Sequence, residues 1–291
     1  MKKNNYKIHI MACVALFTAG NMIITQPFYN KSDFLPVFLL TVLFSLAFTF
    51  ISIAVVSFAF KENCSVFHKI LQGIIGAMAV LAAIYGAFST FFDYVTFVGK
   101  AQLPQMHTAL IAAVMLGFVA VFIKTSHTSI LKLGLFMATL SATVVVLLFT
   151  VSVKMLDFDA VSLNISLSSN DLVLSFKCFL RYFSPALVTV LFVTLANGKA
   201  KTAEIFGGLG IGFIIILITA IQSIFILGNT GEYEFAYLDA VGAFSSGSLF
   251  SRLDGLVYFL FFATATVKIA VCVKTLPLII KRLKRQRFIV M

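Results

Sequence analysis

From Phe34 to Phe60, between Asp33 and Lys61, the chain carries no charged side chain at all. A helix of roughly 20 apolar residues crosses the hydrocarbon of a bilayer. In lipid every backbone N–H and C=O must be paired inside the protein, which leaves only the helix and the closed barrel. A continuous apolar run without two-residue alternation selects the helix. Similar stretches recur along the sequence. The expected spans are 8–27, 35–60, 70–92, 107–123, 133–153, 172–196, 204–227, and a last one that opens after Ser251 and runs to about Leu276.

Lys2, Lys3 and Lys7 ahead of the first run also fit a cleaved leader. Thr18-Ala19-Gly20 is a poor cleavage site, and the run continues past it through Ile24. It therefore reads as a transmembrane helix.

Composition sharpens the class. Hydrophobic residues make up 60% of the 291, charged residues 11%, and the mean hydropathy is +1.05. That balance belongs to a polytopic membrane protein. The net charge of +11 sits on no soluble domain, so nucleic-acid binding is not expected. Cys13, Cys64, Cys178 and Cys272 are scattered without metal spacing and read as reduced. His9, His68, His107 and His127 lie near span edges without acidic partners. No phosphate loop or nucleophile elbow is present. Neither an enzyme nor a cofactor is expected.

The basic residues set an expected topology. Outer segments hold Lys31, Lys100, Lys154, Lys177, Arg181 and Arg252; Lys268 is intramembrane; the other fifteen of the 22 fall in segments that are inner if the N-terminus is inside. Both termini are then cytoplasmic. An acidic outer segment, 228–251, is expected to hold a short surface helix over 237–244.

Two spans are interrupted. Gly20-Asn21 falls near the middle of the first, where Asn needs partners and Gly frees the backbone; the other reading is ordinary helix packing. Ser184-Pro185 falls mid-way in the sixth, where proline removes a donor and frees carbonyls of the preceding turn; the other reading is a simple kink. Breaks at corresponding positions of two repeats mark a midplane substrate site in inverted-repeat transporters. Few other polar groups lie at matching depth, namely Tyr85 and Ser89 one turn apart, Tyr182, Thr264 and Thr266. Lys268 lies fourteen residues beyond Asp254, roughly 21 Å deeper along a helix. A charge there costs about 2.5–3.5 kcal/mol on insertion scales. Either it snorkels to the headgroups or it faces a polar cavity. Gly20, Asn21, Tyr85, Ser89, Tyr182, Ser184, Thr264, Thr266 and Lys268 form the expected substrate-binding set.

Arg252-Leu253-Asp254-Gly255-Leu256, heading an apolar helix with Lys268 in its inner half, resembles the spore germination receptor B-subunit family. These are endospore germination permeases of the amino acid–polyamine–organocation superfamily. The order of other features is similar too: Gly20 and Pro27 in the first helix, Lys31-Ser32-Asp33 before the second, and glycines in the third (Gly73, Gly76). Leu103-Pro104 and the proline-broken sixth complete the order. The chain departs from the family in having Ser251 before the Arg, no Trp, and Phe183-Ser184-Pro185-Ala186 where an acid-containing run is usual. It also has about eight spans where the family has ten.

The resemblance implies an all-α polytopic membrane protein with a broken-helix, inverted-repeat, transporter-like fold. The whole of 1–291 would be one membrane domain, with a first five-helix repeat over 8–153 and an incomplete second repeat over 172–280. It implies a nutrient-sensing subunit beside receptor A and C subunits in the spore inner membrane, binding a small nutrient such as an amino acid. The alternative is a free-standing amino acid or cation transporter of the same superfamily; a third class is a membrane scaffold that binds nothing.

Overall fold

A computed structural model describes residues 3–20, 23, 34–59, 66–102, 107–156, 168–183, 186–197, 201–228, 233, 235–245 and 253–287. Among them every regular element is helical: α1 (Lys3–Ala19), α2 (Phe34–Ala59), α3 (Val66–Phe97), α4 (Thr108–Lys124), α5 (His127–Ser152), α6 (Ser169–Cys178), α7 (Ala186–Asn197), α8 (Thr202–Leu227), α9 (Ala236–Ser245) and α10 (Asp254–Arg287). A π-helical turn, Val98–Gln102, extends α3, and another, Phe179–Phe183, follows α6. Among the described residues six helical stretches are long and apolar enough to cross a membrane, while Tyr6–Ala19 and Thr108–Phe122 are apolar but shorter. The chain is an all-α, multi-pass membrane protein.

Local chemistry sets several boundaries. Ser168 and Asp171 close a capping box at the start of α6: the Ser168 hydroxyl accepts from the Asp171 N–H at 3.2 Å, and the Asp171 carboxylate accepts from the Ser168 N–H at 2.8 Å. Two orphan donors are thus satisfied by one pair of side chains. At the other extreme, α8 ends on Gly228, whose φ of +81° only glycine adopts freely. Pro36 is tolerated in α2 because it lies in the first turn, where an N–H would have no helical partner.

Two helices are buried nearly all round, the mark of a bundle centre. From Ala12 to Gly20 every residue of the first is buried. Glycines let its neighbours press against its backbone. A Cβ at Gly208 of α8 would lie 2.5 Å from the Val14 Cβ, one at Gly212 would lie 2.7 Å from the Thr18 Cβ, and one at Gly134 of α5 would lie 3.0 Å from the Cys13 Cβ. Gly208 and Gly212 therefore form the packing face of α8 against α1, and Gly210 points elsewhere. The second central helix, α10, packs on α1, α3, α4, α5, α7 and α9. Aromatic rings fill its seam with α3 and α4: Phe261 lies edge-on to Phe97 at 5.0 Å, and Phe262 meets Phe118 at 5.5 Å. Around this centre α2, α3 and α4 turn large apolar side chains such as Phe50, Leu81 and Val121 outward.

Several expectations change. The third span continues past Phe92 to Phe97 and through its π turn, so Asp93 is inside the helix and not at its end. Its packing row is Gln72, Ile75, Gly76, Ala79, Ala83, Gly86, Thr90 and Phe97, so of the small residues in its first half Gly76 packs inward while Gly73 and Ala77 stay on the outer face. The last helix runs through Pro277 to Arg287. The helix between α8 and α10 is present, but Tyr237 is completely buried. Its hydroxyl donates to Gln222 at 3.1 Å, and the Gln222 amide donates to Ser152 at 2.8 Å. That chain ties α9 to α8 and α5.

Candidate functional site

The first helix stops at Ala19 because Gly20 turns to φ +42°. Its N–H still reaches the Leu16 carbonyl at 2.8 Å, closing the last turn. A helix end carries the partial negative charge of its last carbonyls. The sixth span breaks differently. After Cys178 the winding loosens into the π turn Phe179–Phe183, and α7 begins at Ala186. Single π turns of this kind recur at functional positions.

Lys268 joins these two breaks. It is 1% exposed, and its ammonium donates to the Tyr182 carbonyl at 3.3 Å. The same ammonium lies 5.7 Å from the centre of the Phe17 ring, in the last turn of α1. At Gly20 the approach is closer still, since a Cβ built there would lie 2.9 Å from both the Lys268 Cδ and its Nζ. The lysine does not snorkel along α10. Its stem and charge fill the space left by a missing side chain, between the end of α1 and the π turn.

Asp93 and Cys272 lie within electrostatic reach of the Lys268 charge. Asp93 is held on the other side by Arg181, whose guanidinium donates to it at 3.3 Å. Arg181 also lies over the Tyr182 ring, 5.2 Å from its centre. Consecutive residues of one π turn thus face opposite ways: Arg181 outward to α3, and the Tyr182 carbonyl inward to Lys268.

Compared with protein-family models, curated proteins and solved structures, the chain matches none. The site is read from its own geometry.

Of the nine expected residues, the structure brings Gly20, Tyr182 and Lys268 together. Thr264 is one turn from Lys268 on α10 and fully buried, and its hydroxyl donates to the Phe261 carbonyl of its own helix at 3.1 Å. Thr266 is buried too, and its hydroxyl has no partner among the described residues. Tyr85 does not converge on Lys268. It is 47% exposed, because the packing row of α3 runs along the opposite side of that helix. Ser89 reaches only back to the Gly86 carbonyl, at 3.4 Å. Asn21 and Ser184 lie outside the described residues, as do Pro27, Leu103-Pro104, Pro185 and Arg252.

Asp93, Phe17 and Cys272 are the participants that sequence reasoning missed. For Asp93 a signal existed. Tyr85, Ser89 and Asp93 are spaced by four and share one helix face, the face on which Arg181 meets Asp93. No spacing rule pointed to Phe17, which reads as one more apolar residue of a buried helix. Among the described residues no group of His, Cys, Asp and Glu could hold a metal ion.

Proposed function

We propose that this chain is the B-type, nutrient-sensing subunit of a spore germination receptor, and that it binds a small nutrient carrying a carboxylate, such as an amino acid, beside Lys268. One observation carries the reading: the breaks in the first and sixth spans meet at a single buried ammonium. In broken-helix transporters such breaks line the substrate site near the midplane, and a buried lysine is a functional candidate by default. The resemblance of the Arg252-x-Asp254 helix supports the class of protein, and the convergence supports the position of the site.

A ligand carboxylate would offer the ammonium a charge partner in place of a neutral carbonyl. Charge-assisted hydrogen bonds are roughly twice as strong as neutral ones. Drawing Lys268 toward the ligand would release the Tyr182 carbonyl and loosen the π turn, which also carries Arg181. Binding would then be felt at the Arg181–Asp93 pair on the outer face of α3, where neighbouring subunits have access. Partners on that reading are the A and C subunits of the receptor, in the spore inner membrane.

The test separates sensing from transport. Spores lacking the chain should form normally and fail to respond to one nutrient class, and the purified chain alone in proteoliposomes should not accumulate that nutrient under an ion gradient. Uptake by the single chain would replace this reading with that of a secondary transporter of the same superfamily. A normal response to every nutrient class in spores lacking the chain would reject the receptor reading.

A further inference from the structure

We infer that Lys177 and Arg181 form a lipid site, holding the phosphate of an anionic phospholipid of the phosphatidylglycerol type on the membrane-facing surface where α6 passes into its π turn. No nutrient enters the inference, and it stands apart from the reading of Lys268.

The two residues are four apart, about one turn, so their side chains leave the same face. Both are exposed. Arg181 is held from behind: its guanidinium donates to Asp93 at 3.3 Å and lies over the Tyr182 ring, 5.2 Å from the ring centre. A guanidinium carries five donors in a planar fork. The Arg181 side chain is still 51% exposed beyond Asp93, which is itself only 15% exposed. Lys177 makes no ion pair among the described residues. Two cations and one carboxylate leave this group with one positive charge turned toward the bilayer.

Depth matches a phosphate. From Ile70 to Phe92, between Lys69 and Asp93, α3 has no charged residue. That stretch is roughly 34 Å long, close to the ~30 Å of a hydrocarbon core. Asp93 therefore stands at the edge of the hydrocarbon, and the Arg181 guanidinium stands with it. Lys177 lies nearer the start of its span, and its flexible stem lets the ammonium reach the same level.

The neighbours select a lipid over a second helix. From Leu172 to Arg181 the other exposed residues are Leu172, Val173, Phe176 and Leu180, all bulky and apolar. Helices meet in membranes through small residues that let backbones approach, and this face offers none. Bulky apolar groups beside two cations suit acyl chains below a phosphate. An arginine fork takes phosphate oxygens bidentately, and each basic residue near an anionic lipid surface adds to the attraction. The phosphate of phosphatidylcholine already has its own choline cation; that of phosphatidylglycerol has none.

The sequence has no tryptophan, so one introduced indole reports alone. The full chain carrying Phe176→Trp is reconstituted in phosphatidylcholine vesicles. Lipid with brominated acyl chains, which quench indole on contact, is then included as either phosphatidylglycerol or phosphatidylcholine. Brominated phosphatidylglycerol should reach half-quenching at a mole fraction on the order of twentyfold below that of brominated phosphatidylcholine. A Phe136→Trp reporter, at an exposed position of α5, should show no such preference. Lys177→Gln keeps the Arg181–Asp93 pair and should cut the preference about fivefold. Adding Arg181→Gln should abolish it. Should that double variant fail to fold, Lys177→Gln decides alone, and an unchanged preference overturns the site.

No preference at the Phe176→Trp reporter would also overturn it, and would leave the face to a partner's transmembrane helix. An equal preference at the Phe136→Trp reporter would mean a general attraction of the protein for anionic lipid, not a site. A preference that fades as the protein-to-lipid ratio rises would assign the face to a second copy of the chain. One displaced by inorganic phosphate in the buffer would mark a free-anion site instead. Each of these results ends the lipid assignment and leaves the spore-response test above untouched.

Discussion

At Gly20 a single hydrogen atom in place of a side chain determines what the protein can hold. A φ of +42° is costly for any other residue, by roughly 1–2 kcal/mol, and a Cβ would press on the Lys268 ammonium. Gly20→Ala should therefore lower the melting temperature and abolish nutrient response, whereas Gly117→Ala, whose Cβ would meet nothing within 4 Å, should do neither. Lys268 is the complementary case. Met matches its stem closely, and removing the ammonium relieves the cost of burying a charge against the loss of its hydrogen bond to the Tyr182 carbonyl. Lys268→Met should leave the melting temperature near its original value and eliminate the response to nutrient. Retained response at unchanged nutrient concentration would take the ammonium out of the site.

At the scale of elements, α1 is gripped by glycines of unequal importance. Gly208→Ala puts a Cβ 2.6 Å from the Met11 carbonyl and 2.5 Å from the Val14 Cβ, so α8 must move off α1. Overpacking of this kind costs about 1–3 kcal/mol. Gly210→Ala meets nothing within 4 Å and should be neutral or slightly stabilising, since alanine favours helix by about 1 kcal/mol over glycine. Thermal melting of the two variants side by side checks this; equal losses would mean that the helices are not packed as described. Most of the element order was legible in the sequence, because apolar runs broken by charges and glycines state where a span begins and ends. The ends themselves were less so. Asp93 was read as a boundary because a carboxylate in lipid is costly, yet Arg181, 88 residues later in the chain, supplies a partner that no local pattern shows. For the same reason Lys268 stood open between snorkelling and burial: the Tyr182 carbonyl that decides it becomes visible only when α10 is packed against the π turn.

For the whole molecule the distribution of lysine and arginine gives an orientation that can be checked directly. Cys13, Cys178 and Cys272 are buried, so an impermeant thiol reagent applied to intact cells reports on introduced or loop cysteines with little background. Cys64 should stay unlabelled from outside, and a cysteine replacing Asn164 should label readily. Labelling of Cys64 from outside would reverse the orientation of every span.

The length of α10 has a mechanical meaning. It is a single helix of 34 residues, about 51 Å long. Lys268 stands 14 residues from its first residue and 19 from its last, so the arm beyond the lysine spans roughly 28 Å. A tilt of about 5° pivoting at Lys268 carries Arg287 some 2.5 Å, roughly the width of an atom. The ammonium is in effect the fulcrum of a lever whose far end bears Lys281, Arg282, Lys284, Arg285 and Arg287. The helix runs unbroken through Pro277 along that arm. A displacement too small to alter the bundle around Lys268 would thus arrive, magnified, at the most highly charged stretch of the chain.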